Sequence, residues 1–178
     1  MIGRTPSRPA RPRVIEQRPR PGFHHPVSRN DVLAILERIG PEAIYGLRSI
    51  ALGRGPQRRG LSSFGRLCVP GQILLYDLPV PPWHLSGMIA AHDAALLAKA
   101  GAVVTVHGDV GVTVVDWPGD TLRQFVLFEV LLHEIGHHIL QHHKGKPRAR
   151  VARTRDHEAF ADRFAAKCRL AWARTTSA

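Results

Sequence analysis

His133, Glu134 and His137 form the pattern His-Glu-x-x-His within the segment Leu131–His143, LLHEIGHHILQHH. Two histidines four residues apart lie on one face of a helix, about 40° apart, so both imidazoles can reach one ion. Glu134 follows the first histidine and can hang beside such an ion without ligating it. A general base for a metal-activated water must stand there. The preceding residues, Gln124 to Leu132, are almost wholly apolar. A helix that is apolar on all sides is a buried one, as expected of an active-site helix crossing a small core.

A catalytic zinc takes three protein ligands and keeps a fourth position open, so the third ligand tests the motif. His143 lies ten residues after His133, the spacing of an elongated HExxHxxGxxH motif, but position 140 is Leu where that motif breaks the helix with Gly. On an unbroken helix His143 points about 100° or more away from the His133/His137 face. Glu158 is the better third ligand. It follows His137 by 21 residues, which leaves room for a loop and a returning helix. Asp162, one turn further on, shares its face and can orient a ligand imidazole through Nδ1–H. His157 lies about 100° off that face. His138, His142 and His143 also lie off the ligand face and read as polar-face or capping residues near a helix C-terminus. A lone HExxH among 11 histidines would be weak; Glu158-x-x-x-Asp162 on a second helix gives it weight.

Together, His133-Glu134-x-x-His137 and Glu158-x-x-Ala161-Asp162-Arg163-Phe164-Ala165 resemble the ImmA/IrrE-type small gluzincin metallopeptidases. The pattern of that family is roughly HExGHxxxH, followed by an E-x-x-A-[DN]-x-F-A helix. The resemblance covers residues 110–170 and departs at Cys168-Arg169-Leu170-Ala171, where the family often has Leu-Leu-Met-Pro. The family's N-terminal helix-turn-helix is not evident either. The resemblance implies Zn²⁺ held by His133, His137 and Glu158, with Glu134 as catalytic base and Asp162 behind a ligand histidine. It also implies an intracellular peptidase acting on a regulatory protein, such as a repressor encoded by a mobile element.

The elements that must position these residues follow from pattern and punctuation. Residues 1–27 hold six prolines among arginines and are expected to be a tail without fixed structure. A domain is expected over residues 28–174, with 175–178 as a C-terminal tail. Ser28-Arg29-Asn30-Asp31 reads as a capping box before a helix that stops at Gly40. Leu47–Leu52 and the stretch Arg66–Asp77, turning at Pro70-Gly71, read as extended, and Gly53–Gly60 as a basic loop. Pro79–Trp83 reads as a connector, and Ser86–Ala100 as a helix capped by Ser86 and ended by Gly101. Val103–Val106 and Val110–Val115 form a hairpin about His107-Gly108-Asp109. The active-site helix is expected over Thr121–His143 and the return helix over Asp156–Trp172.

This order predicts an α+β fold: a minimal zincin-like domain whose small mixed or antiparallel sheet packs on the HExxH helix and the following ligand helix. Val110–Val115, just before the active helix, is expected to be the open edge above the cleft, where an extended protein or peptide substrate could pair.

Composition bounds the partners. A chain of 178 residues holds one domain with a real core. No apolar run approaches the roughly 20 residues of a membrane span, and the N-terminus has no secretory apolar segment. Two cysteines, Cys68 and Cys168, make no disulfide framework, so a cytoplasmic protein is expected. Net charge is +11, of which residues 1–29 supply +6 from seven Arg and one Glu. The run Lys144–Arg155 adds six cations without an acid. Such runs suit nucleic acid or an acidic partner. Two rivals to the peptidase reading follow: a DNA-associated, SprT-like zinc protease, and a non-catalytic, zinc-stabilised binding protein.

Overall fold

The computed structural model describes residues 11–56, 63–68, 71–109, 111–143 and 154–176. Its class is α+β, as expected, with three small sheets among the described residues and the helices gathered around one apolar core. No helix among the described residues is long and apolar enough to cross a membrane.

The chain enters the fold earlier than residue 28. Strand β1 (Arg13–Glu16) pairs in parallel with β3, Val14 opposite Ile50, and the Val14 and Val27 side chains are buried. Strand β2 (Phe23–His24) pairs with a later two-residue strand. The expected tail of residues 1–27 is therefore structured from about residue 13; residues 1–10 lie outside the described residues. Pairing with β3 makes the strand, and the local sequence permits it. Arg13-Val-Ile-Glu16 is a proline-free window with two β-branched residues, and Pro12, Pro19, Pro21 and Pro26 fall outside the strands, where no ladder N–H is needed.

Helix α1 (Arg29–Ala43) starts with the expected capping box, the Ser28 hydroxyl accepting from the Asp31 N–H and the Asp31 carboxylate accepting from the Ser28 N–H. Its regular part ends at Gly40, whose φ of 83° only glycine adopts without strain. Strands β3 (Ser49–Gly53), β4 (Gly65–Cys68) and β5 (Gln72–Tyr76) complete a mixed sheet in the order β1-β3-β5-β4, with β4 antiparallel at its edge. Residues 57–60 of the expected basic loop lie outside the described residues. Ile50, Leu52, Leu67, Ile73 and Leu75 turn one face of this sheet to the core.

The second half differs from expectation in two places. Strand β6 (Leu78–Pro79) pairs with β2, and β7 (Trp83–Ser86) ends on the residue expected to cap a helix. Ser86 lies opposite Val112, Gly87 turns the chain at a φ of 87°, and α2 (Ala91–Lys99) starts five residues late. The alternation in Trp83-His84-Leu85-Ser86 outweighs the capping propensity of a single serine. Strands β8 (Val103–His107) and β9 (Val112–Asp116) form the expected hairpin, with Val110 outside the described residues. However, the order is β7-β9-β8, so β9 is central and is not the open edge over the cleft. Trp83, Trp117, Phe64 and Phe125 stack between the two larger sheets, with ring centroids 4.8–6.2 Å apart.

Helix α3 (Thr121–Phe125) leads through a π-helical turn (Val126–Leu131) into α4 (Leu132–His143), all continuous as expected apart from the π turn. Helix α5 (Arg155–Thr176) overruns the expected domain end at 174, and residues 177–178 lie outside the described residues.

The N-terminal segment is latched by one ion pair. Arg20 donates from Nε and Nη2 to Asp77 at 2.9 and 2.7 Å, and the Arg20 and Gly55 N–H groups add bonds of 3.0 and 2.9 Å. Burial pushes the Asp77 carboxyl up, but the Arg20 and Gly55 hydrogen bonds outweigh it and hold the carboxyl at about 2, below its ordinary 3.8. The folded state thus binds this proton more weakly than the unfolded chain. The latch stabilises fully above pH 4 and is lost as pH falls towards 2, a contribution of about 2 kcal/mol. Urea melts of wild type and Asp77→Asn should differ by roughly that amount at pH 6, with the gap closing by pH 2. A gap independent of pH would show that the Asp77 charge contributes nothing.

Candidate metal centre

Three donor atoms from two helices converge. His133 Nε2 and His137 Nε2 on α4 stand 3.0 Å apart, and Glu158 Oε2 on α5 lies 3.2 Å from the first and 3.4 Å from the second. A tetrahedral ion with bonds of ~2.0–2.1 Å requires ligand atoms about 3.3–3.4 Å apart, so this triangle has the dimensions of one face of such a site. The group could hold a metal ion. Two imidazoles and a carboxylate suit zinc and several other first-row ions, so the donors alone do not choose among them.

His133 is held from behind. His133 donates from Nδ1–H to Asp162 Oδ1 at 2.9 Å, which fixes the tautomer and turns the Nε2 lone pair towards the triangle. His137 is 1% exposed and packed in the core, whereas Glu158 is 40% exposed, so the centre opens to solvent on the α5 side. Arg169 pairs with Glu129, tying α5 to the π turn.

The spacing between α4 and α5 depends on Gly136. Its φ is not in the left-handed region, so conformational freedom is not why glycine stands there. A Cβ at this position would lie 2.7 Å from the Ala161 Cα, and Ala161 and Ala165 are themselves buried. Glycine on one helix and alanine on the other let the two backbones nearly touch. The Glu158 side chain can reach a pair of histidines only across a gap that narrow.

Glu134 does not join the triangle. It is 4% exposed, and its Oε2 accepts the Leu67 N–H at 2.7 Å. Leu67 lies on β4, so the open strand beside the centre is the edge of the four-stranded sheet rather than the expected Val110–Val115. In the antiparallel pair β4–β5, the backbones of Arg66 and Cys68 face β5 and those of Gly65 and Leu67 face outward. The Ser63 hydroxyl on the Gly65 C=O and the Phe64 C=O accepting from the Tyr76 N–H show this phase.

The other histidines separate as follows. His138 is buried rather than on a polar face, and its Nε2–H donates to the Tyr45 C=O at 2.9 Å, anchoring α4 to the end of α1. Burial lowers its pKa, the Tyr45 bond opposing and His142 adding to the shift. His142 packs edge-on against Tyr45, and a Cβ on Gly46 would lie 2.8 Å from its ring. His157 lies in the first turn of α5, its N–H donating to the Thr154 C=O at 3.0 Å. His143 closes α4, and its side chain lies outside the described residues. Residues 144–153 of the basic run do as well.

The sequence signals for His133, His137, Glu158 and Asp162 thus meet in one place. The Leu67 N–H left no sequence signal, because every residue but proline carries one. Gly136 did leave one: glycine inside a helix costs about 1 kcal/mol relative to alanine and so calls for a packing reason.

The chain was compared with protein-family models, with curated proteins and with solved structures, and it matches none of them. The centre therefore stands on its own geometry.

Metal titration and thermal melting test these contacts. Glu158→Ala should abolish stoichiometric metal binding while His143→Ala retains it, and Asp162→Asn should weaken binding about 10- to 100-fold. Gly136→Ala should destabilise by about 1–3 kcal/mol through overpacking. At a helix position with free space the same change stabilises. A stabilised Gly136→Ala protein with unchanged metal affinity would remove the helix contact from this account.

Proposed function

We propose that the chain is a zinc-dependent peptidase that hydrolyses peptide bonds in an intracellular protein, with Glu134 as general base and a minimal zincin-like arrangement of strand and helices. One observation carries this reading. A three-donor metal triangle has, on the next residue of the same helix, a buried carboxylate that does not ligate and is held instead by an edge strand. Structural zinc sites close with four protein ligands, whereas catalytic ones keep a position open. Three donors among the described residues, with one side open to solvent, suit the second kind.

Zinc, when bound, supplies Lewis acidity that acidifies a water and polarises a carbonyl. The chain's own groups do the rest. Glu134 takes the proton of the attacking water at its carboxylate and passes it to the leaving amine nitrogen. The Leu67 N–H fixes the Glu134 rotamer, so the base enters the reaction already oriented. Asp162 keeps His133 in the tautomer that leaves Nε2 free to bind. Beside the Leu67 N–H bonded to Glu134 and the Gly65 C=O bonded to Ser63, β4 offers the outward Gly65 N–H and Leu67 C=O as main-chain hydrogen bonds along the cleft, and an extended peptide laid against them would gain affinity independent of its sequence. Both cysteines are unpaired, which fits a cytoplasmic setting. A regulatory substrate, such as a mobile-element repressor, follows only from the resemblance to ImmA/IrrE-type peptidases.

Glu134→Gln should retain one zinc per chain by atomic absorption and lose cleavage of a denatured-protein or peptide-library substrate by at least about 100-fold. Cleavage persisting in Glu134→Gln would take the proton-transfer role from that residue. A wild-type protein that binds zinc yet cleaves nothing, and unfolds when zinc is chelated, would favour the binding-protein alternative.

A further inference from the structure

Helix α5 carries its charges unevenly. Its three acids, Asp156, Glu158 and Asp162, lie in the first eight residues, and two of them serve the metal centre. From residue 163 onward the helix holds four cations and no acid: Arg163, Lys167, Arg169 and Arg174. Arg169 is spent on Glu129. The other three are exposed, and none of the ion pairs among the described residues involves them.

The three share one ridge. Ala161, Ala165, Cys168 and Trp172 form the buried stripe of α5, and Arg163, Lys167, Leu170 and Arg174 repeat the same spacing two residues later. Two residues rotate a helix by about 200°, so the basic ridge is on the side opposite the packed face and the metal ligand. Arg163 to Arg174 spans about 16 Å along the axis. Leu170, at the middle of the ridge, is 59% exposed.

We propose that this ridge is a docking surface for duplex DNA, with Arg163, Lys167 and Arg174 on backbone phosphates. Charge complementarity carries it: unpaired cations on a rigid line, in a chain of net charge +11. The shape of the ridge narrows the choice. A single exposed helix face enters the roughly 12 Å major groove of B-form DNA, whereas the major groove of A-form RNA is too deep and narrow for side chains to read. Single strands are bound by stacking on aromatic rings, and the exposed ridge residues Arg163, Lys167, Leu170, Ala171 and Arg174 include none. The inference does not depend on the peptidase reading, because the ridge and the metal triangle are on different faces of the helix.

The test is fluorescence anisotropy of a labelled 24-base-pair DNA duplex titrated with the full chain at several NaCl concentrations. The variant is Arg163→Gln/Lys167→Gln/Arg174→Gln, with Arg66→Gln on the open face of the sheet as control. Each lost phosphate contact lowers the slope of log K against log salt by about 0.9. The triple variant should therefore lose about 2–3 units of slope and bind about tenfold or more weakly at 0.1 M salt, while Arg66→Gln matches wild type. Metal content and melting temperature should stay at wild-type values in all three proteins. Should the triple variant fold poorly, Lys167→Gln alone decides, with a slope loss of about 0.9. An unchanged slope, tighter binding to an RNA duplex of the same length, or binding only to phosphatidylserine vesicles would each overturn the proposal.

Discussion

The approach of two helices sets everything else at this centre. His133 and His137 are placed by the period of α4 alone, but a carboxylate from another segment must come within about 3.4 Å of both. Packed helix axes normally lie 8–10 Å apart, and the lower end of that range needs small side chains at the crossing. Gly136 against Ala161 provides them, one residue before the second histidine and three after the carboxylate. The Arg169–Glu129 pair, the buried Ala165 and the partly buried Cys168 and Trp172 continue the contact down α5. The ligand geometry is thus a consequence of backbone proximity and not of side-chain reach.

Glu134 depends on a different constraint. A buried carboxylate needs hydrogen-bond donors, and α4 has none to spare, since its own N–H groups are used within the helix. The donor for Glu134 comes from an edge strand, the only kind of strand whose outward N–H groups are free of a ladder. Placing β4 there requires β5 behind it, and β5 is held in turn by β3 and β1. The N-terminal segment therefore contributes to the site at a distance: β1 closes the far side of the sheet whose near edge holds Glu134, and the Arg20–Asp77 latch keeps that segment in place.

Helix α5 serves both the candidate metal centre and the proposed DNA surface by dividing its residues. Three acids gather at its N-terminus, where the helix dipole also favours them, and two of them, Glu158 and Asp162, meet α4; the cations of the ridge follow on the opposite face. A helix with one buried stripe has room for a second, chemically different stripe about 200° away.

How much of this was legible in the chain differs by residue. Periodicity and spacing alone reached His133, Glu134, His137, Glu158 and Asp162, because a helical repeat determines which side chains share a face. The capping box at Ser28, the stop at Gly40 and the β8–β9 hairpin were legible for the same reason: each is a local interaction within a few residues. What is nonlocal was not. Arg13–Glu16 becomes a strand because β3 offers it an edge, and the prolines that flank it argued otherwise. Strand β9 (Val112–Asp116) pairs on both sides because Trp83–Ser86 forms β7 beside it, and the open edge falls to β4. His138 is buried because Tyr45, 93 residues earlier, offers it a carbonyl. The sequence by itself determined which residues could bind a metal and move a proton. The tertiary structure alone decided that Gly136 brings Glu158 close to both histidines and that the Leu67 N–H holds Glu134, since helix approach and strand order arise from contacts between segments that no local pattern encodes.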